Sequence, residues 1–174
     1  MELLERFAAG DQEAFESLFR QHQGDVFRWV VRMVRNRAAA EDLTVETFWR
    51  AYRAHARFDA KKGSWCGWLR RIATNVALDY LRTMKREVPL EDQAVEEARV
   101  EQSTAQRELR QKILAAINRL TPKLRAVTLL ALVEEEPYRE IAEALGISEN
   151  AVKVRVFRAV RILREELEKA RVRP

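Results

Sequence analysis

YREIAEALGISENAVKVRVFRAVRIL (138–163) is the stretch whose reading decides the fold. Tyr138 to Leu145 carries apolar residues at helical spacing, and so does the run from Glu149 onward. Between them stands Gly146-Ile147-Ser148. Glycine suits the positive φ needed where a helix stops, and serine is a preferred cap for the next helix. Ala142 is small where two helices must cross closely, and Ile141, Leu145, Ile147 and Val152 supply a local core. The pattern predicts a helix-turn-helix, the arrangement that places its second helix in the DNA major groove.

Projected at about 100° per residue, the second helix turns Val152, Val156, Ala159, Val160 and Leu163 inward. Asn150, Lys153, Val154, Phe157, Arg161 and Arg164 point outward. A major-groove reader needs this mixture: amide and basic groups for base edges, apolar atoms for thymine methyls, arginines for phosphates. Ser148 caps the helix, while Arg155 and Arg158 flank the face and suit backbone contacts. Glu149 can accept from cytosine or simply favour the helix N-terminus. Phe157, the second half's lone phenylalanine, can pack on a neighbouring element, meet a base methyl, or meet a protein.

The rest of the 174 residues points the same way. Five glycines and four prolines among abundant Ala, Leu, Arg and Glu predict an all-α chain. The net charge of +5 is unevenly spread. Residues 1–86 carry 16 basic and 11 acidic groups, and residues 105–174 carry 15 and 10. Between them, 87–104 holds one basic residue, Arg99, and six acidic ones. The expectation is two small helical domains, 1–86 and 105–174, joined by an acidic flexible linker with Pro89 in it. Two basic bodies suggest polyanion binding, to nucleic acid or to an anionic surface. No apolar run approaches the roughly 18 residues of a membrane span, so no membrane insertion is expected. The start lacks a signal-peptide pattern, and the lone Cys66 cannot form an internal disulfide; both suggest a cytoplasmic setting.

In the first half, a short helix is expected to end near Gly10, with Asp11 capping the next, which Gly24 should break. A helix over Ala38–Ala56 follows, with Val45, Phe48, Trp49, Tyr52 and Ala56 on a face read as buried. Opposite lie Asp42, Leu43, Glu46, Thr47, Arg50 and Arg53, open to a partner. RFDAKKG (57–63) reads as a turn, and Ser64 caps a long helix. On that helix Trp65, Trp68, Leu69, Ile72, Val76 and Tyr80 form a core stripe beside polar Arg71, Asn75 and Arg82. In the second half, Leu109, Ile113, Ala116, Ile117 and Leu120 line one side of a helix, and Thr121-Pro122 should cap another. No metal site is expected, because His22 and His55 lie on different helices without further ligands at the right spacing. Glycine-rich phosphate loops and nucleophile–base pairs are absent, so neither a cofactor nor an enzymatic activity is expected.

GDQEAFESLFRQH, AEDLTVETFWRAYR, FDAKKGSWCGWLRRIATNVALDYLR and INRLTPKLRAVTLLALVEEEPYREIAEALGISENAVKVRVFRAVRIL together resemble an extracytoplasmic-function (ECF) sigma factor of bacterial RNA polymerase. The resemblance implies a sigma region-two domain over 1–86 that binds core polymerase. Its contact is a coiled coil of the largest subunit, met through Asp42, Leu43, Glu46, Thr47 and Arg50. The same domain would recognise and melt the −10 element. Phe58, Asp59, Lys61, Lys62, Gly63 and Ser64, with Arg71 and Asn75, would then hold an unpaired base. A region-four domain over 105–174 would read the −35 element as duplex through Ser148, Glu149, Asn150, Lys153, Val154, Arg155, Phe157, Arg158 and Arg161. The implied partners are core polymerase (coiled coil and flap region), promoter DNA and an anti-sigma factor, with the acidic linker in the polymerase RNA path.

The chain departs from the family pattern at several points. Thr44-Val45 stands where Val-Gln is usual, and Cys66, followed by Gly67, where a basic or bulky residue is usual. Val154 and Phe157 replace a small polar residue and a histidine. Two rival readings are a stand-alone helix-turn-helix regulator and a helical adaptor that binds only protein.

Overall fold

The structure is a computed structural model that describes residues 2–87 and 104–172. The described residues form helices α1 (Glu2–Ala8), α2 (Gln12–Val34), α3 (Arg37–Arg53), α4 (Trp65–Glu87), α5 (Thr104–Asn118), α6 (Pro122–Thr128), α7 (Tyr138–Leu145) and α8 (Glu149–Val172). They contain no strand, and the all-α expectation holds for them. They divide into two compact units, one built on α1 to α4 and one built on α5, α6, α8 and the first part of α7. The expected acidic linker falls almost wholly outside the described residues.

In the first unit, α2, α3 and α4 pack against one another around Leu18, Trp29, Val30, Met33, Phe48, Leu69, Val76 and Leu81. As expected, Asp11 caps α2: its Oδ1 accepts from the Ala14 N–H (3.0 Å). Gly24, however, does not break the helix, and α2 runs unbroken through it to Val34. An interior glycine costs about 1 kcal/mol. The buried stripe of Leu18, Val26, Trp29, Val30 and Met33 outweighs that local preference. Trp29 is tied to α4 by its indole N–H, which donates to Thr74 Oγ1 (3.0 Å).

The expected core face of α3 is corrected. Val45 and Trp49 are 61% and 54% exposed, while Ala40, Thr44, Thr47, Phe48 and Ala51 are buried. The inward face is thus turned by about a third of a turn from the stripe of large apolar residues. Small side chains there let the backbones approach closely. The two threonines satisfy their buried hydroxyls within the helix, donating to Ala40 O and Leu43 O (2.7 Å each).

In the second unit, α5, α6 and α8 pack through Ile117, Leu120, Leu124, Val127, Leu130, Val156, Ala159 and Leu163. Leu109, expected on the packed side of α5, is 56% exposed. Thr121 precedes Pro122 at the helix start but makes no side-chain cap. Beyond Thr128, α6 continues as a π-helical turn over Leu129–Val133, which the spacing did not foretell. Arg125 is buried, and its Nη2 donates to the Asn118 and Leu120 carbonyls (2.6 and 3.4 Å), closing the C-terminal end of α5. Across the unit, Arg119 Nη1 donates to Glu166 Oε2 (2.6 Å). With Lys169 in support, that contact holds the Glu166 carboxyl below the ordinary carboxylate range.

Candidate functional site

The α7–α8 turn is built as its residues require. Gly146 has φ +63°, and the Ile147 N–H bonds back to the Ala142 carbonyl (3.0 Å). Ser148 Oγ accepts from the Ala151 N–H (3.1 Å) and starts α8. Ile141 and Val152 are fully buried, while Leu145 and Ile147 are half-buried. Val152, Val156, Ala159 and Leu163 face inward as expected, with Val160 half-buried beside them.

Glu149, Asn150, Lys153, Val154, Phe157, Arg158, Arg161 and Arg164 are all exposed. Phe157 is 73% and Val154 58% exposed, so the first alternative for Phe157, packing on a neighbouring element, does not describe it. Arg155 is half-buried at the edge of the face. Arg161 lies 4.0 Å from Glu165 at i,i+4, a pairing weak enough to yield to a phosphate. The face therefore offers amide, ammonium, guanidinium and apolar groups on one rigid helix.

A second cluster is assembled around the turn before α4. Phe58 was expected to face a ligand, but it is 6% exposed and packs on Trp65 and Trp68, with ring centroids 5.5 and 5.3 Å apart. Phe7 completes the cluster, 4.9 Å from Trp65. Each such ring pair contributes about 0.5–1.5 kcal/mol beyond burial. Together they clamp the two ends of the 58–64 turn. Inside the turn, the Lys61 N–H donates to Asp59 Oδ1 (3.0 Å), and the Lys62 ammonium lies 3.4 Å from Oδ2. The Lys61 hydrogen bond, followed by Lys62, lowers the Asp59 carboxyl from its ordinary pKa. Asp59 thus orders the turn, and Lys61 and Lys62 are left exposed on it. Gly63 lies in the bend, and Ser64 Oγ caps α4 by accepting from the Gly67 N–H (3.0 Å). Arg71 and Asn75 are exposed, one helical turn apart on α4.

The third cluster lies on α3. Asp42 and Arg50 are exposed, and Leu43 and Glu46 are half-buried. Arg50 Nε donates to Glu46 Oε1 (2.7 Å) and Nη1 to Asp79 Oδ2 (3.3 Å), so it braces α3 to α4. Thr47 was expected on this open face; its exposure is 0% and its hydroxyl is spent on Leu43 O. Sequence reasoning missed Val45 and Trp49, which stand outward beside Asp42 and Glu46. The signal was there in the small Ala40, Thr44, Thr47 and Ala51, which make the tighter helix contact.

Two family models match the chain, Sigma-70 region 2 over residues 18–87 and Sigma-70 region 4 over residues 110–163. The sigma factor CarQ of Myxococcus xanthus is 37% identical over 97% of this chain and 100% of its own length. The chain belongs to the ECF sigma factor family. The ECF sigma factor SigE of Mycolicibacterium smegmatis is also 37% identical, over 93% of this sigma factor, which spans 66% of that relative's length. In fold, it is similar to the Bartonella quintana sigma factor RpoE solved in complex with the anti-sigma factor NepR. That match has a TM-score of 0.71 and 22% identity, over 88% of this chain and 96% of the other. CnrH, solved with the cytosolic domain of CnrY, gives a TM-score of 0.69 and 24% identity over 96% of both chains. The protein is thus an RNA polymerase sigma factor, a transcription-initiation subunit that directs promoter recognition and not an enzyme. No described helix is long and apolar enough to cross a membrane.

Proposed function

We propose that this sigma factor divides promoter opening between its two units. In this reading residues 1–86 are a region-two domain and 105–174 a region-four domain, with 87–104 as the connecting segment in the polymerase RNA path. The α8 face reads the −35 element as duplex: Asn150 and Lys153 reach base edges, while Arg155, Arg158, Arg161 and Ser148 hold the backbone. The observation that carries this is the exposed mixed face of α8 on a capped, glycine-turned helix pair.

Lys61, Lys62, Ser64, Arg71 and Asn75 take the unpaired −10 strand, with Asp59 and Gly63 shaping the turn. Phe58 acts from the core as a brace. Unpairing a base costs a few kcal/mol, which stacking and hydrogen bonds at the trap offset. The coiled coil of the polymerase largest subunit docks on Asp42, Leu43, Glu46 and Arg50, joined by Val45 and Trp49, and the flap region meets the second unit. Thr47 is left out of that contact because it is buried.

An anti-sigma factor is expected as a further partner, since RpoE and CnrH were solved bound to NepR and CnrY. The setting of all this is the cytoplasm, where polymerase works. Run-off transcription with core polymerase on a genomic fragment library tests the proposal. Discrete start sites that share spaced upstream elements are expected; a library transcribed no better than by core alone would overturn it.

A further inference from the structure

Val154 and Phe157 are the two large apolar side chains standing outward among the described side chains of α8, at 58% and 73% exposure. They lie three residues apart on one face, and Lys153, Arg158 and Arg161 surround them. Side by side, the two form one small exposed apolar patch with a basic rim, the pattern of an interaction surface. It suits a partner that is anionic outside and apolar at one defined spot.

Duplex DNA meets that description in the major groove. Its phosphates carry the charge, and the only apolar group on a base edge is the thymine 5-methyl. Neither valine nor phenylalanine can pair with a donor or acceptor. Opposite guanine, cytosine or adenine they meet no methyl, so only thymine repays their burial. Three residues advance about 4.5 Å along a helix, enough to span one base-pair step of about 3.4 Å. The two side chains therefore reach neighbouring base pairs.

We propose that Val154 and Phe157 read thymine methyl groups at two adjacent base pairs of the −35 element. This rests on the reading of α8 as the −35 helix and adds the base identity to it. The other alternative, a protein partner on Phe157, is an outcome of the test.

The test uses holoenzyme, made from core polymerase and the full chain, to select duplexes from a library randomised upstream of the start site. Each thymine of the selected −35 element is then replaced by deoxyuridine, which removes only the methyl. At two adjacent positions the replacement should weaken holoenzyme binding about fourfold each, the factor for ~0.8 kcal/mol per methyl group. In Phe157→Ala and Val154→Ala holoenzymes, thymine and deoxyuridine should bind alike, each variant losing the penalty at one position. Phe157→Leu, which keeps apolar contact, should retain part of it. Far-UV circular dichroism of the variants should match the parent, because both side chains are exposed.

An enriched −35 element without a methyl penalty, or a penalty that survives both alanine variants, overturns the methyl reading alone. The same holds if Phe157→Ala spares duplex selection but abolishes binding to a protein of the holoenzyme. Absence of any upstream enrichment overturns the α8 reading itself.

Discussion

Thr74→Val should loosen the crossing of α2 and α4 without changing side-chain volume appreciably. Thr74 is 1% exposed, accepts from the Trp29 indole N–H at 3.0 Å, and donates to the Arg70 carbonyl at 2.7 Å. Valine leaves that indole N–H, on a residue only 4% exposed, without its acceptor. An unsatisfied buried donor costs about 1–3 kcal/mol. The loss of the hydroxyl's own bond to Arg70 O costs less, because that carbonyl is already served within the helix. Since the chain has two units, native-state hydrogen exchange of the slowest amides in α2 and α4 isolates the effect. Their protection should fall roughly 5- to 140-fold, the factor for about 1–3 kcal/mol. Thr74→Ser, which keeps the acceptor, should fall short of that loss. Trp29→Phe removes the donor, so the double variant should be less destabilised than the sum of the singles by about 0.5 kcal/mol or more. Strict additivity, or protection unchanged in Thr74→Val, would refute the assigned role of this hydrogen bond. The crossing also bears on the proposed base trap, because Asn75 and Arg71 project from the helix that Thr74 anchors.

Asp42→Lys should weaken core polymerase binding at least tenfold in a pull-down titration, roughly 1.4 kcal/mol, whereas Thr47→Val should change it less than twofold. Equal losses would return Thr47 to the contact face. Asn75→Ala should reduce permanganate reactivity near −10 more than it reduces protection of the −35 element, and equal losses would argue against a base-trapping role. The Glu166 carboxyl should titrate in ¹³C NMR below the ordinary glutamate value of about 4.3, and Arg119→Ala should move it upward. Its folded pKa is depressed, so the contribution to stability is present above the unfolded value and lost as pH falls through the folded one. Titration at the ordinary value in the parent chain would contradict the contact.

What the sequence discloses here is what local chemistry decides. The α7–α8 turn was legible because a positive-φ glycine, a serine cap and a helical stripe all act within a few residues. The capping of α2 by Asp11 and of α4 by Ser64 was legible for the same reason. The inward face of α3 was not, because two stripes share Phe48 and only packing against both α2 and α4 selects the one with threonines and alanines. Gly24 misled in the same way: its local preference is real, but a long buried stripe overrides it. Phe58 looked like part of a binding loop by position, and only the aromatic cluster with Phe7, a residue far away in sequence, places it inside. The exposed face of α8 was thus visible from residues alone, while the outward face of α3 needed the packing.

Potassium permanganate footprinting of a promoter found by run-off transcription tests the central claim most directly. With core polymerase and this chain together, thymines near −10 should become reactive, and the reactivity should vanish when either component is omitted. A chain that protects upstream duplex DNA by itself, with no thymine made reactive when polymerase is added, would contradict promoter opening and leave only a stand-alone DNA-binding protein.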